Sequence, residues 1–140
     1  MKPSLVPGLR YRHAYAVTAA KTVPALYPES PDFTSMPAVF ATGYMVGLIE
    51  WACLLAIKPH LEPGEGSLGV RVDVDHQAAT PPGMTVTVDV EVTAVEGNKV
   101  SFAIVARDDA EVISEGRHER FVVSWDRFQA GLAKKRPARR

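Results

Sequence analysis

Residues 38–57 constrain the fold of this chain more than any other stretch. The run is apolar almost throughout, carries one carboxylate, Glu50, near its middle, and is followed by Pro59. Proline cannot continue a helical hydrogen-bond ladder, so the run is predicted to be a helix that ends there. A helix apolar nearly all round suits burial among other elements rather than a place on a surface. The embedded Glu50, with Thr42, Gly43 and Gly47 in the same run, argues against a membrane span. The rest of the chain must therefore wrap this helix.

It does so with strands. Leu9, Tyr11, His13, Tyr15 and Val17 alternate with Arg10, Arg12, Ala14 and Ala16, the period of a half-buried strand. A mixed segment from Lys21 to Tyr27 follows, and Pro28, Pro31 and Pro37 then break the chain into a long loop of the kind that often lies over a site. After the helix, residues 62–66 read as loop. Val70, Val72, Val74 and His76 then alternate with Arg71, Asp73 and Asp75, which is expected to place His76 on the buried face of a strand. Turn residues at 80–83 and 96–98 bracket two further rows, Val86 to Val92 and Val100 to Ala106. A last strand is expected over about 111–125 and a short helix over 126–133. Strands joined by tight turns are antiparallel neighbours, and one apolar sheet face must cover one apolar helix. The expected fold class is therefore α+β: the hotdog arrangement, a curved antiparallel sheet wrapped around one long central helix. It forms a single domain over 1–133 with a basic tail at 134–140. Such an open sheet has edges, which dimerisation commonly covers.

Composition excludes several classes of function. The chain of 140 residues has 16 basic and 16 acidic residues, a balance that argues against a nucleic-acid binder. The tail, with Lys134, Lys135, Arg136, Arg139 and Arg140, reads either as a solvated extension or as a clamp for nucleotide phosphates. Cys53 is the only cysteine, so no intrachain disulfide is available. No apolar run follows Lys2, so a signal peptide is not expected and a cytoplasmic location is. One cysteine, and no histidine pair at ligand spacing, give no reason to expect a metal. There is also no phosphate-cradling glycine loop and no Gly-x-Ser-x-Gly elbow.

Two residues stand out against this background. Glu50 lies among apolar neighbours, and Thr42, eight positions earlier, falls within roughly 80° of it on the same side of the helix, about two turns away. His76 is the second, on a row expected to face that helix. Taken singly, Glu50 reads as a solvated or arginine-paired carboxylate and His76 as a satisfied core histidine. Together they make a candidate site, because titratable groups in such surroundings cluster where function resides. His118, beside Arg117 and Arg120, reads either as a ligand contact or as a paired side chain.

Longer stretches carry a resemblance. LYPES at 26–30, VFATGYMVGLIEWAC at 39–53, LEPGEGSLG at 61–69, H-x-AATPPG at 76–83 and HER at 118–120 resemble the fluoroacetyl-CoA thioesterase family, small hotdog-fold acyl-CoA thioesterases, over nearly the whole chain. The resemblance implies hydrolysis of a short or small acyl-CoA by a homodimer, with sites at or near the dimer interface. It implies that Thr42, Glu50 and His76 form the reactive set, with Gly69 and Arg120 near the bound thioester. Val23, Leu26 and Phe33 match an apolar lid over the acyl pocket. Met36 stands where the fluoroacetyl enzyme has an aromatic residue, so selectivity for a fluorinated acyl group is not implied. Coenzyme A is part of the substrate, and no cofactor is expected.

In such a reaction the oxyanion needs fixed donors, either backbone N–H groups near the helix start or Gly69. Thr42 is a nucleophile or a hydrogen-bonding positioner, His76 can be its base, and Glu50 either orients His76 or activates water. The alternatives are a hotdog enoyl-CoA hydratase or dehydratase, whose usual motif is absent here, and a non-catalytic acyl-CoA binding module, which would need no such set.

Overall fold

The computed structural model describes residues 1–135. Five strands form one antiparallel sheet: β1 (Arg10–Ala16), β2 (Glu65–Val74), β3 (Thr85–Glu96), β4 (Lys99–Arg107) and β5 (Val112–Ser124). Their order is β1-β3-β4-β5-β2, so β1 and β2 are the edges. Two short helices, α1 (Val23–Leu26) and α2 (Pro31–Thr34), precede the long helix α3 (Thr42–Ile57), and α4 (Trp125–Lys134) ends the described chain. The sheet curls around α3, as the hotdog expectation required. The basic tail expected at 134–140 lies, from residue 136 on, outside the described residues.

The β3 and β4 rows behave as their period dictates. Val86, Val88, Val90 and Val92 and, opposite them, Val100, Phe102, Ile104 and Ala106 are all buried. They meet Met45, Ile49 and Ala52 of α3 in one core. Each fully buried valine contributes roughly 1.5 kcal/mol of burial free energy. Gly97, at positive φ, makes the tight turn between these strands.

Five expectations are corrected. The helix starts at Thr42, not at residue 38, because Phe40 and Ala41 are extended and tied elsewhere: Phe40 N–H donates to the Thr80 carbonyl at 2.8 Å, and Ala41 N–H to that of Lys21 at 3.1 Å. The proline-broken segment is not plain loop, since Pro24 and Pro31 sit in the first turns of α1 and α2, where a missing N–H does no harm. Strand β2 begins at Glu65, inside the stretch read as loop, because Gly66 lets the strand pass beneath the Trp125 ring that any Cβ would strike.

The fourth correction concerns His76. The register of β2 on β5 runs Gly69 opposite Arg120, then Arg71 opposite Glu119, which leaves Val70 as an extra, bulged residue. Strand β2 then ends at Val74, so His76 stands on the segment beyond it. Nor is the expected row a covered one: Val70 is 51% exposed and Val72 43%. Helix α3 is also not fully wrapped. Gly43, Gly47, Trp51 and Leu54 form an exposed stripe along it.

Candidate active site

Thr42 and His76 meet at the N-terminus of α3. Thr42 Oγ1 and His76 Nδ1 are 2.8 Å apart in a hydrogen bond. The local chain explains why. Asp75 N–H and Gln77 N–H bond to the Glu115 and Ile113 carbonyls, so the segment carrying His76 stays pinned to β5 after β2 has ended. The Phe40–Thr80 bond then clips that segment to the residues entering α3. Thr80 is fully buried, and its hydroxyl donates to Asp108 at 2.8 Å. The pair opens on a cleft of about 260 Å³ lined by Val23, Val39, Phe40, Gln77 and Ala78 among others.

The chemistry of this end follows from its parts. Burial pulls the His76 pKa below its ordinary value, with the Ala78 carbonyl and Asp75 pulling the other way. The imidazole is therefore neutral at pH 7 and can take a proton. Thr42 is the first residue of α3, and no side chain caps that end among the described residues. The first N–H groups of the helix are thus available to a developing anion, and the helix dipole favours negative charge there. Cys53, on the same helix, is no rival nucleophile: burial chiefly, with Glu50 adding, pushes its thiol up to about 12 against the opposing pull of Arg120.

Glu50 is elsewhere. Eight positions at 1.5 Å each set it about 12 Å along the helix from Thr42. Its partner is Arg120, whose Nη1 donates to Glu50 Oε1 at 2.9 Å. Arg120, only 5% exposed, also donates from Nε to Ser67 Oγ at 2.8 Å and from Nη2 to the Ser67 carbonyl at 2.9 Å. Gly69 lies against this cluster: a Cβ there would collide with Glu50 Oε1 and sit 3.4 Å from Arg120 Nη1. A single chain therefore brings Thr42 to His76, and Glu50 to Arg120 and Gly69, but does not bring the two groups together.

The residues expected at an acyl-pocket lid, with Met36, divide. Val23 lines the Thr42–His76 cleft. Leu26 lies over the start of α3, its Cδ1 within 3.4 Å of where a Gly43 Cβ would stand. Phe33 packs on Tyr27 with ring centres 5.5 Å apart. Met36 is 48% exposed and does not line the cleft. Sequence reasoning missed Val39, Phe40 and the 77–79 segment, although adjacency to Thr42 and His76 was a signal for them. It also missed Ser67, which has no such signal.

Comparison with known proteins identifies the family. Residues 17–126 match the family described as fluoroacetyl-CoA-specific thioesterase. The fluoroacetyl-CoA thioesterase of Streptantibioticus cattleyicolor is 51% identical over 138 residues, which is 99% of each chain. A solved structure of the fluoroacetyl-CoA thioesterase FlK superposes with a TM-score of 0.93, at 51% identity, covering 96% of this chain and 99% of that one. A thioesterase-superfamily protein of Thermus thermophilus superposes with a TM-score of 0.85, at 30% identity, over 96% of this chain and 94% of its own. The chain is a thioester hydrolase of the hotdog fold and belongs to the fluoroacetyl-CoA thioesterase family.

Proposed function

We propose that this protein hydrolyses short-chain or small acyl-CoA esters, without a cofactor, in the cytoplasm, as a homodimer whose two chains complete each site. The observation that carries this reading is the division of Thr42–His76 from Glu50–Arg120 along one helix. Thr42 and Glu50 each lie four positions from Val46. Two α3 helices crossing antiparallel near Val46 would set Thr42 of one copy opposite Glu50 of the other. The exposed Val70 and Val72 on the β2 edge support a second copy on that side, as does a Glu50 side chain still 36% exposed.

The thioester carbonyl then lies at the start of α3, where backbone N–H groups receive the developing oxyanion. The attacking hydroxyl, from Thr42 or from water held by Thr42, gives its proton to His76. Collapse of the tetrahedral adduct breaks the C–S bond, and the proton passes to the departing coenzyme A thiolate. Where Thr42 has attacked, water releases the acyl group by the same steps. Glu50, with its charge fixed by Arg120, stabilises the imidazolium or polarises the water.

The test is thiol release from acetyl-, propionyl-, phenylacetyl- and fluoroacetyl-CoA. Loss of enoyl absorbance without thiol release would identify a hydratase, and binding with neither would identify a binding module. Subunit exchange tests the shared site. Thr42→Ala and Glu50→Gln homodimers should each be nearly inactive. After exchange, half the dimers are mixed and each holds one intact site, so activity should return to roughly a quarter of wild type. No recovery on mixing would place all three residues of a site in one chain.

A further inference from the structure

We infer that His118 is a positioning residue, whose imidazole accepts a hydrogen bond from Arg120 and so holds the guanidinium on Glu50. The inference rests on the reading above that Glu50 and Arg120 serve hydrolysis.

His118 lies on the inward row of β5, two residues from Arg120, and is fully buried. Its Nδ1 is 2.8 Å from the Arg71 carbonyl oxygen. A carbonyl only accepts, so Nδ1 carries the proton. The other nitrogen, Nε2, then presents a lone pair, and Arg120 Nη1 lies 3.2 Å from it. A guanidinium only donates, so this contact is a hydrogen bond only while the imidazole is neutral. The Phe102 ring, 6.2 Å away and tilted by 25°, holds the plane of the imidazole.

The consequence lies in the flat shape of the guanidinium. Ser67 receives Nε and Nη2 on one side. On the other, Nη1 serves Glu50 and His118 together, so both of its N–H bonds are directed. Without the His118 acceptor, that end keeps a single partner on a side chain that is itself part-exposed. The charges around the ring favour the arrangement. Burial, the largest influence, and Arg120 keep His118 neutral, against the Arg71 carbonyl, Glu50 and Glu119. Gly69 leaves the ring room, since a Cβ there would stand 3.2 Å from His118 Cε1.

Two near-isosteres separate the two ends of the imidazole. Glutamine can place an acceptor oxygen where Nε2 stands, but loses the bond to Arg71. Asparagine can keep a donor near Nδ1, but offers nothing to Arg120. The experiment measures kcat and KM for acetyl-CoA hydrolysis in wild type, His118→Gln, His118→Asn, and each combined with Glu50→Gln. His118→Asn should lower kcat roughly tenfold, the scale of one charge-assisted hydrogen bond, with KM little changed. His118→Gln should recover most of that loss. In the Glu50→Gln background the His118 substitutions should have no further effect, whereas a merely structural role would lower activity in both backgrounds alike. Equal losses in the two variants, or losses that persist without the Glu50 charge, would overturn the inference. Should His118→Asn fail to fold, the ring-nitrogen NMR spectrum of the wild type decides: a proton on Nδ1 alone supports the inference, and one on Nε2 overturns it. A wild type that hydrolyses no acyl-CoA would remove the underlying reading and this inference with it. An active wild type with an unaffected His118→Asn would remove the inference alone.

Discussion

The two ends of the proposed site are built on opposite terms. At the start of α3, Thr42 is exposed, His76 is half-buried, and one side-chain hydrogen bond joins them above an open cleft. Around Glu50, two turns along the same helix, Arg120 and His118 of β5 are buried, and Arg120 alone bonds to Ser67 twice, to Glu50 and to His118. The first end suits groups that exchange protons with a passing substrate. The second suits a fixed charge, because a buried cation persists only when its donors are satisfied. Substitutions at the first end should therefore change rate with little effect on stability, and those at the second should change both.

The largest expected effect is at Arg120. Arg120→Met removes the cation from four acceptors and leaves Ser67 and Glu50 unpaired. A broken buried pair costs about 3–5 kcal/mol, but Glu50 is exposed enough to rehydrate, so about 2–4 kcal/mol is expected here. Chemical denaturation should show that loss, with Tm falling on the order of 10 °C, and hydrolysis should fall too. An Arg120→Met protein as stable as wild type would erase the contrast between the ends.

His76→Ala is the complementary substitution. It should lower kcat by about 10²-fold or more, the scale for losing a general base, while Tm stays close to wild type. A loss of stability matching that at Arg120 would make His76 a packing residue.

Dependence on pH sharpens the comparison further. Both His76 and His118 have pKa values lowered from 6.5, chiefly by burial. Below about 6.5 the unfolded chain takes up protons that the folded chain refuses, so each histidine makes stability fall as pH drops. Above 6.5 both states are neutral there and neither histidine contributes. Tm should therefore decline from pH 7 towards pH 5, and less steeply in His76→Gln and in His118→Gln. A slope unchanged in His118→Gln would mean that this ring protonates freely in the folded state.

The smallest effect is expected at Met36. Its side chain is half exposed and away from the cleft lining, so Met36→Phe should alter the ratio of kcat/KM for fluoroacetyl-CoA and acetyl-CoA by less than about tenfold. Pocket fit alone separates such substrates by about 1–3 kcal/mol, so the wild type should not prefer the fluorinated one strongly. A preference of many thousandfold would require a discriminating device elsewhere in the site.

Some of this molecule could be read from one-dimensional pattern. The β3 and β4 rows, the apolar helix and its stop near Pro59 follow from period and from proline's missing N–H, which act within a few residues. From these the sheet-around-helix fold follows, because one apolar face has to cover another. Residue type alone also marked Glu50 as out of place, whereas His76 was singled out by a strand row that the structure ends at Val74 and leaves exposed. Tertiary structure decided the rest. The bulge at Val70 depends on the partner strand β5, and the place of His76 depends on where β2 stops and on the Phe40–Thr80 clip. No local pattern shows that Arg120, seventy positions away, holds Glu50, or that Ser67 and His118 hold Arg120. Burial removes the water that would otherwise solvate each of these groups alone, so they must satisfy one another, and which groups are buried together is settled by the packing of the whole chain.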